Sequence, residues 1–196
     1  MRIGVLALQG DFAEHLSMLR QTGTGVREVR LPEQLEGLDG LIIPGGESTT
    51  IGKLAATFGL IDPLRDFAAR HPVWGTCAGA ILLSRDAQRD QPLLGVMNIT
   101  VERNAFGRQV DSFETNVLFP VLDDPQRPFH AVFIRAPLIA SAGKGVEILA
   151  QLSANRDQGR ARIVAARQGH LLATSFHPEL TGDDRVHRYF LSLAKA

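Results

Sequence analysis

One cysteine, Cys77, is the only thiol in this chain of 196 residues. An internal disulfide is therefore excluded, and a reducing compartment is the expected setting. Charge of one sign is also lacking, because Lys+Arg and Asp+Glu both number 21. Without a basic excess, nothing draws the chain to nucleic acid or to an anionic membrane surface. No apolar run approaches the length of a membrane span. The N-terminal run Ile3–Leu8 is too short for a signal-peptide core and has no cleavage-like site after it. A soluble cytoplasmic protein is the expectation. Internal repeats and low-complexity linkers are missing too. The length suits one substantial domain rather than two, so residues 1–196 are read as a single domain. His15, His71, His130, His170 and His187 show no metal-ligand spacing with one another or with Cys77. No metal and no bound cofactor are expected.

What is present is an ordinary globular composition, 44% hydrophobic and 21% charged. Short apolar runs read as strands buried on both faces: Ile3–Leu8, Gly40–Ile43, Pro72–Gly75, Ala131–Ile134, Ile163–Ala166 and Leu171–Ser175. Helical patterns separate the early ones, over Phe12–Gln21 with Asp11 as N-cap, Ile51–Phe58 and Pro63–Ala69, and a last helix covers Asp183–Ala194. The region from Gly95 to Leu152 is more strand-like, with Asn98–Asn104, Phe113–Val117 and Val146–Gln151 as strands and Asp123–Phe129 as a loop. Strand and helix in alternation predict an α/β fold, a mostly parallel central sheet flanked by helices on both faces. Ligands in such folds gather beyond the carboxyl ends of the strands.

The polar and glycine-rich groups of this chain fall at those ends. Cys77 follows the apolar run Val73-Trp74-Gly75 and precedes a helix-forming stretch, with Gly75, Thr76, Ala78 and Gly79 crowding the sulfur. That is the layout of a nucleophile elbow, in which a tight strand-to-helix turn lifts one reactive side chain clear of the sheet. A helix starting there points free N–H groups and its positive dipole end at the sulfur, which favours thiolate. Alone, a single free cysteine is more often an inert buried hydrophobe. Its surroundings decide otherwise. His177-Pro178-Glu179 closes the Leu171–Ser175 strand, and proline biases the residue before it towards extended geometry. Side chains two apart then share a side, so Glu179 reaches one imidazole nitrogen while the other faces Cys77. That is the arrangement of a nucleophile, a base and an orienting carboxylate.

Gly45-Gly46, after the Gly40–Ile43 strand, supplies a third part. Acyl transfer through a thiolate develops an oxyanion that needs preorganised N–H donors. The N–H of Ala78 at the helix start and that of Gly46 in the glycine loop are the candidates. The plainer reading of this segment is a strand-to-helix turn capped by Ser48 or Thr49, and both readings hold together. A phosphate-binding Walker loop is disfavoured, because Lys53 does not end a G-x-x-x-x-G-K-[ST] run.

The trio G-T-C-A-G, P-G-G-E-S-T and F-H-P-E resembles the class I glutamine amidotransferases, of flavodoxin-like fold, which hydrolyse glutamine through a Cys-His-Glu triad. Within them, L-A-L-Q-G-D-F-A-E-H at Leu6–His15, P-G-G-E-S-T-T at Pro44–Thr50, R-N-A-F-G-R-Q at Arg103–Gln109, F-I-R-A-P at Phe133–Pro137 and F-H-P-E-L-T at Phe176–Thr181 are similar to the family of glutaminase subunits of pyridoxal 5′-phosphate synthases. Ala80 is smaller than the residue expected after the cysteine motif. The resemblance implies Cys77, His177 and Glu179 as catalytic residues, and glutamine held by Gly46, Glu47, Ser48, Arg103, Ile134 and Arg135. Read without the family, Arg103 and Arg135 are solvated surface charges. The resemblance also implies a γ-glutamyl thioester, ammonia delivered to a synthase (lyase) subunit in a large heteromeric complex, and a vitamin B6 pathway. Gln9 and Gly10 order the oxyanion loop or face the partner. His15, inside the first motif, is the histidine expected to serve a partner. A subunit that waits for its synthase has misaligned oxyanion donors at rest.

Two rival readings remain. One keeps the fold and triad but changes the reaction, to a γ-glutamyl peptide hydrolase or a glutaminase feeding another synthesis. The other is a non-catalytic stress or redox sensor using Cys77, which has no need of His177-Glu179 or Gly45-Gly46.

Overall fold

The computed structural model describes residues 1–103, 112–152 and 162–195. In chain order, β1 (Arg2–Leu6) leads to α1 (Phe12–Gln21), β2 (Gly25–Val29), β3 (Gly40–Ile43), α2 (Ser48–Thr57), α3 (Ile61–Ala68), β4 (Val73–Thr76) and α4 (Ala78–Leu83). Then follow β5 (Ser84–Asp86), β6 (Met97–Glu102), β7 (Ser112–Val117), β8 (Phe129–Ile134) and β9 (Leu138–Ala142). The chain closes with β10 (Glu147–Leu152), β11 (Arg162–Gln168), β12 (Leu171–Thr174) and α5 (Arg185–Leu193).

Ten strands form one sheet in the order β2-β1-β3-β4-β12-β11-β9-β6-β5, with β10 paired to β11 off that path. From β2 to β12 every neighbour is parallel. Beyond β12 the β12–β11, β11–β9 and β9–β6 pairs are antiparallel, and the outermost pair, β6–β5, is parallel again. Successive residues of a strand point to opposite faces, and the core divides accordingly. On one face Leu6, Leu41, Ile43 and Ala173 pack with α2, α3 and α4. On the other, Ile3, Val5, Ile42 and Leu172 pack with Leu16 and Leu19 of α1 and Val186, Phe190 and Leu191 of α5. The central strands β3, β4 and β12 are buried at every residue, which is why they read as continuous apolar runs.

Three expectations need correction. Ala131–Ile134 is not a strand buried on both faces. It lies in β8, whose residues alternate between buried and less buried, and it pairs with β7 in a separate two-stranded antiparallel ribbon. Helix α2 begins at Ser48 rather than Ile51, and its N-cap is Glu47, whose carboxylate accepts from Thr49 N and Thr50 N. Asp11 precedes α1 but makes no side-chain capping bond. Its carboxylate is used elsewhere. The end of the Asn98–Asn104 strand and all but the first residue of the Arg103–Gln109 motif lie outside the described residues. Among the described residues, no helix is long and apolar enough to cross a membrane.

Phe129 opens β8, so the loop expected over Asp123–Phe129 ends one residue earlier, and it is held from α5. Arg185, at 3% exposure of its side chain, donates to the carbonyls of Asp123 (3.3 Å), Arg127 (2.9 Å) and Pro128 (3.1 Å) and to Asp183 Oδ2 (2.7 Å). A guanidinium has donors enough to satisfy several carbonyls that a proline-containing loop leaves unpaired.

Candidate active site

The parallel half of the sheet delivers four segments to one rim. Thr76 of β4 is paired with Thr174 of β12, so Cys77 and the Ser175-Phe176-His177 segment leave the sheet side by side. Cys77 N donates to Thr174 O at 2.8 Å, and His177 N donates to Val132 O of β8 at 2.9 Å. Phe176 is pinned among Phe119, Phe129 and Phe133, with ring centroids 6.3, 5.5 and 5.8 Å away. That aromatic anchor fixes the residue after it, His177. The same tie to β8 brings the Ile134 carbonyl within 4.0 Å of the Cys77 sulfur.

Cys77 has φ 47° and ψ −103°, a left-handed conformation that a side chain other than glycine rarely adopts. It sits as N-cap of α4. The turn is tight because its neighbours are small. A Cβ on Gly75 would strike the Gly79 carbonyl group, and one on Gly79 would strike the Ile43 carbonyl of β3. Ala80 is fully buried beneath the turn, where a small residue packs.

His177 lines the same cavity as Cys77, and its Nδ1 lies 2.7 Å from Glu179 Oε1 and 3.3 Å from Asp11 Oδ2. Burial pulls the imidazole pKa down, but the bonds to Asp11, Cys77 and Glu179 outweigh it and push it up to about 12. These contacts favour the imidazolium form of His177. Burial raises the Glu179 pKa and its bond to His177 pulls it back, whereas the bond to His177 lowers that of the less buried Asp11. Asp11, His177 and Glu179 bring ligand-type atoms within 4.8 Å of one another. Both carboxylates address the same Nδ1.

The glycine loop is equally close-packed. Gly10 (φ 97°) and Gly46 (φ 148°) adopt left-handed backbone, and a Cβ on Gly10 would strike the Gly45 carbonyl. A Cβ on Gly45 would strike the His177 ring. Gln9 Oε1 accepts from Glu47 N at 2.8 Å, which fixes the peptide after Gly46. Glu47, besides capping α2, pairs with Arg103 Nη2 at 3.0 Å. Slight burial pushes its pKa up, but bonds from Thr50, Thr49 and Arg103 hold it at about 2. Arg135, with φ 43°, is a second strained residue at the rim.

A cavity of about 370 Å³ opens over the sulfur, within the range of small-molecule sites (about 300–1,000 Å³). Its lining includes Cys77, His177 and Ala78, the glycine-loop residues Gly46, Glu47 and Ser48, and Arg103, Ile134 and Arg135. Gln9 and Gly10 line it too. Of the residues expected at the site, only Glu179 is outside the lining, because it sits behind His177.

Sequence reasoning missed Asp11 as a partner of His177, having read it as a helix cap. It also missed Gln91, whose Oε1 lies 3.3 Å from Ser48 Oγ and 3.2 Å from Arg103 Nη1 and so ties two candidate substrate contacts together. The expectation for His15 is overturned. It is fully buried and packed against Glu179, so it presents no surface to a partner.

Comparison with known proteins shows the family and the fold. The model of the SNO glutamine amidotransferase family matches residues 5–195. The pyridoxal 5'-phosphate synthase subunit PdxT of Herpetosiphon aurantiacus is 60% identical, covering 98% of this chain and all of the relative. The protein of the same name from Roseiflexus sp. is 56% identical with the same coverage. A crystal structure of a glutamine amidotransferase superposes with TM-score 0.89 at 52% identity over 99% of both chains. The PurLQS structure from Thermotoga maritima, at 14% identity and TM-score 0.73 over 97% of each chain, shares the fold.

Proposed function

This chain belongs to the SNO glutamine amidotransferase family, and we infer that it is the glutaminase subunit of a pyridoxal 5′-phosphate synthase. The observation that carries the mechanism is Cys77, strained at the head of α4 and facing the same cavity as an imidazole that Glu179 holds. The Cys77 thiolate attacks the side-chain amide carbon of glutamine, and the N–H groups of Ala78 and Gly46 receive the oxyanion. Nδ1 is engaged by carboxylates, so His177 works through Nε2. It gives its proton to the departing nitrogen, ammonia leaves, and a γ-glutamyl thioester remains. His177 then takes a proton from water, whose oxygen attacks the thioester carbon. The C–S bond breaks, glutamate departs and the thiolate returns. Glu179 keeps the tautomer and stabilises the imidazolium.

Free glutamine carries an α-carboxylate and an α-ammonium. Arg103 and Arg135 suit the first, Glu47 and the Ile134 carbonyl the second, and Ser48 adds a hydroxyl. Since Glu47 and Arg103 pair with each other at 3.0 Å, an incoming substrate exchanges that contact for its own charges. Gln9 holds the loop after Gly46 in one orientation. In this reading the oxyanion donors stay misaligned until a synthase subunit docks, assembles a heteromeric complex and receives the ammonia away from water. A free thiol used as nucleophile suits the reducing cytoplasm, where this reading places the chain.

The test is ammonia release from glutamine by wild type and Cys77→Ala, each with and without the synthase subunit. Wild type active chiefly with the synthase, and Cys77→Ala inactive, is expected. Ammonia release by Cys77→Ala overturns the mechanism, and full activity of the isolated wild type overturns the misaligned resting state.

A further inference from the structure

Behind Glu179 lies a buried layer that hydrolysis as described does not use. His15 of α1 and His187 of α5 are both 0% exposed. His15 Nε2 lies 3.3 Å from Glu179 Oε2 and 3.2 Å from Thr76 Oγ1, while His15 Nδ1 lies 3.0 Å from His187 Nε2. Trp74 stands edge-on to both rings, with centroids 5.5 and 5.0 Å away.

The placement of two protons decides what this layer does. Burial, chiefly, holds His15 neutral and lowers His187 to about 3, so each ring has a single N–H. Suppose His15 carried its hydrogen on Nδ1 and gave it to His187 Nε2. His187 would then carry its own N–H on Nδ1, a buried atom without a hydrogen-bond partner. The bare lone pair of His15 Nε2 would also face the Glu179 carboxylate. Burying an orphan donor and opposing two acceptors are both unfavourable. With the hydrogens on Nε2 of each ring, His187 donates to His15 Nδ1 and His15 donates towards Glu179 Oε2 and Thr76. Only a lone pair on His187 Nδ1 stays unmatched. Glu179 Oε2 is buried and makes no hydrogen bond as placed, and His15 Nε2, 3.3 Å away, is the ion-pair partner from which it can take one.

We propose that His15, oriented by His187, is a positioning residue that donates from Nε2 to the outer oxygen of Glu179 and keeps that buried carboxylate ionised and aimed at His177. This rests on the triad reading above. Among the described residues, the ionisable groups around Glu179 are Asp11 and His15 at α1 and His177 beside it, with His187 of α5 reached through His15 and Cys77 of the elbow through His177. Burial already raises Glu179. Removing the His15 donor raises it further, and the ionised form is lost at higher pH on the way down.

The variants are His15→Leu, which fills space without a donor, and His15→Gln, whose amide nitrogen stands in for Nε2. Glutamine hydrolysis is measured against pH in the assembled synthase complex. His15→Leu is expected to lower kcat roughly tenfold to a hundredfold at neutral pH with KM little changed, and to move the acid limb up by about one pH unit or more. His15→Gln restores both. A role confined to packing would lower stability and leave the limb where it was, which overturns the proposal. So does His15→Gln behaving as His15→Leu. An inactive wild type would instead count against the triad reading. Should His15→Leu fail to fold, long-range ¹H–¹⁵N correlation on wild type decides the matter: both buried rings carry hydrogen on Nε2, and hydrogen on Nδ1 of His15 overturns the proposal.

Discussion

Gly79→Ala tests whether the elbow owes its shape to absent side chains. The added Cβ would meet the Ile43 carbonyl of β3, backbone against backbone, so no rotamer change relieves the contact. Helix propensity alone favours alanine at an interior helical position by about 1 kcal/mol. Overpacking a close-packed site costs about 1–3 kcal/mol, and a clash with backbone belongs at or above the upper end. The net expectation is a loss of about 2 kcal/mol. For a chain of this size that lowers Tm by roughly 4–8 °C. Activity should fall further than stability suggests, because Cys77 lies two residues before the clash. A displacement of about 1 Å at a reacting group costs on the order of a hundredfold. Calorimetry and ammonia release in the synthase complex read the two effects. Gly182→Ala is the control, since its added Cβ meets nothing within 4 Å. A Gly79→Ala protein that melts and turns over like wild type refutes the reasoning.

Two further outcomes follow from the structure. Arg185→Lys keeps the charge but loses the planar donors shared among Asp183 and the loop carbonyls; a loss of about 2–3 kcal/mol in urea unfolding is expected, and a wild-type midpoint contradicts it. Glu47→Ala removes the α2 cap and should cost about 1 kcal/mol at neutral pH. Because Glu47 is held at about 2, the wild-type advantage is complete above its ordinary value of 4.5 and fades as pH falls towards about 2. Urea midpoints of the two proteins across that range check this, and an advantage that persists undiminished at the acid end contradicts it.

The parallel strands and the larger helices were legible because their burial leaves a plain periodic record. Gly40–Ile43 and Phe12–Gln21 end where the pattern ends. Strand β2 escaped notice, because as an edge strand with Arg27 and Glu28 it carries no apolar run. β9 is short and ends in Ala140-Ser141-Ala142, too small to announce a strand. Cys77, His177 and the glycine loop were legible because strand ends in this topology must converge. The second carboxylate on His177 was not, since an aspartate before a helix reads as a cap whichever way its side chain turns. Nor was the His15–His187 contact, which joins helices at opposite ends of the chain and depends on tertiary packing alone.

The most direct measurement is stoichiometric labelling of Cys77 by a glutamine-like diazoketone, read by intact mass in the synthase complex. One adduct per chain, formed by wild type and lost in His177→Ala, is the predicted result. Labelling that proceeds equally well without His177 would contradict a thiolate activated by that imidazole.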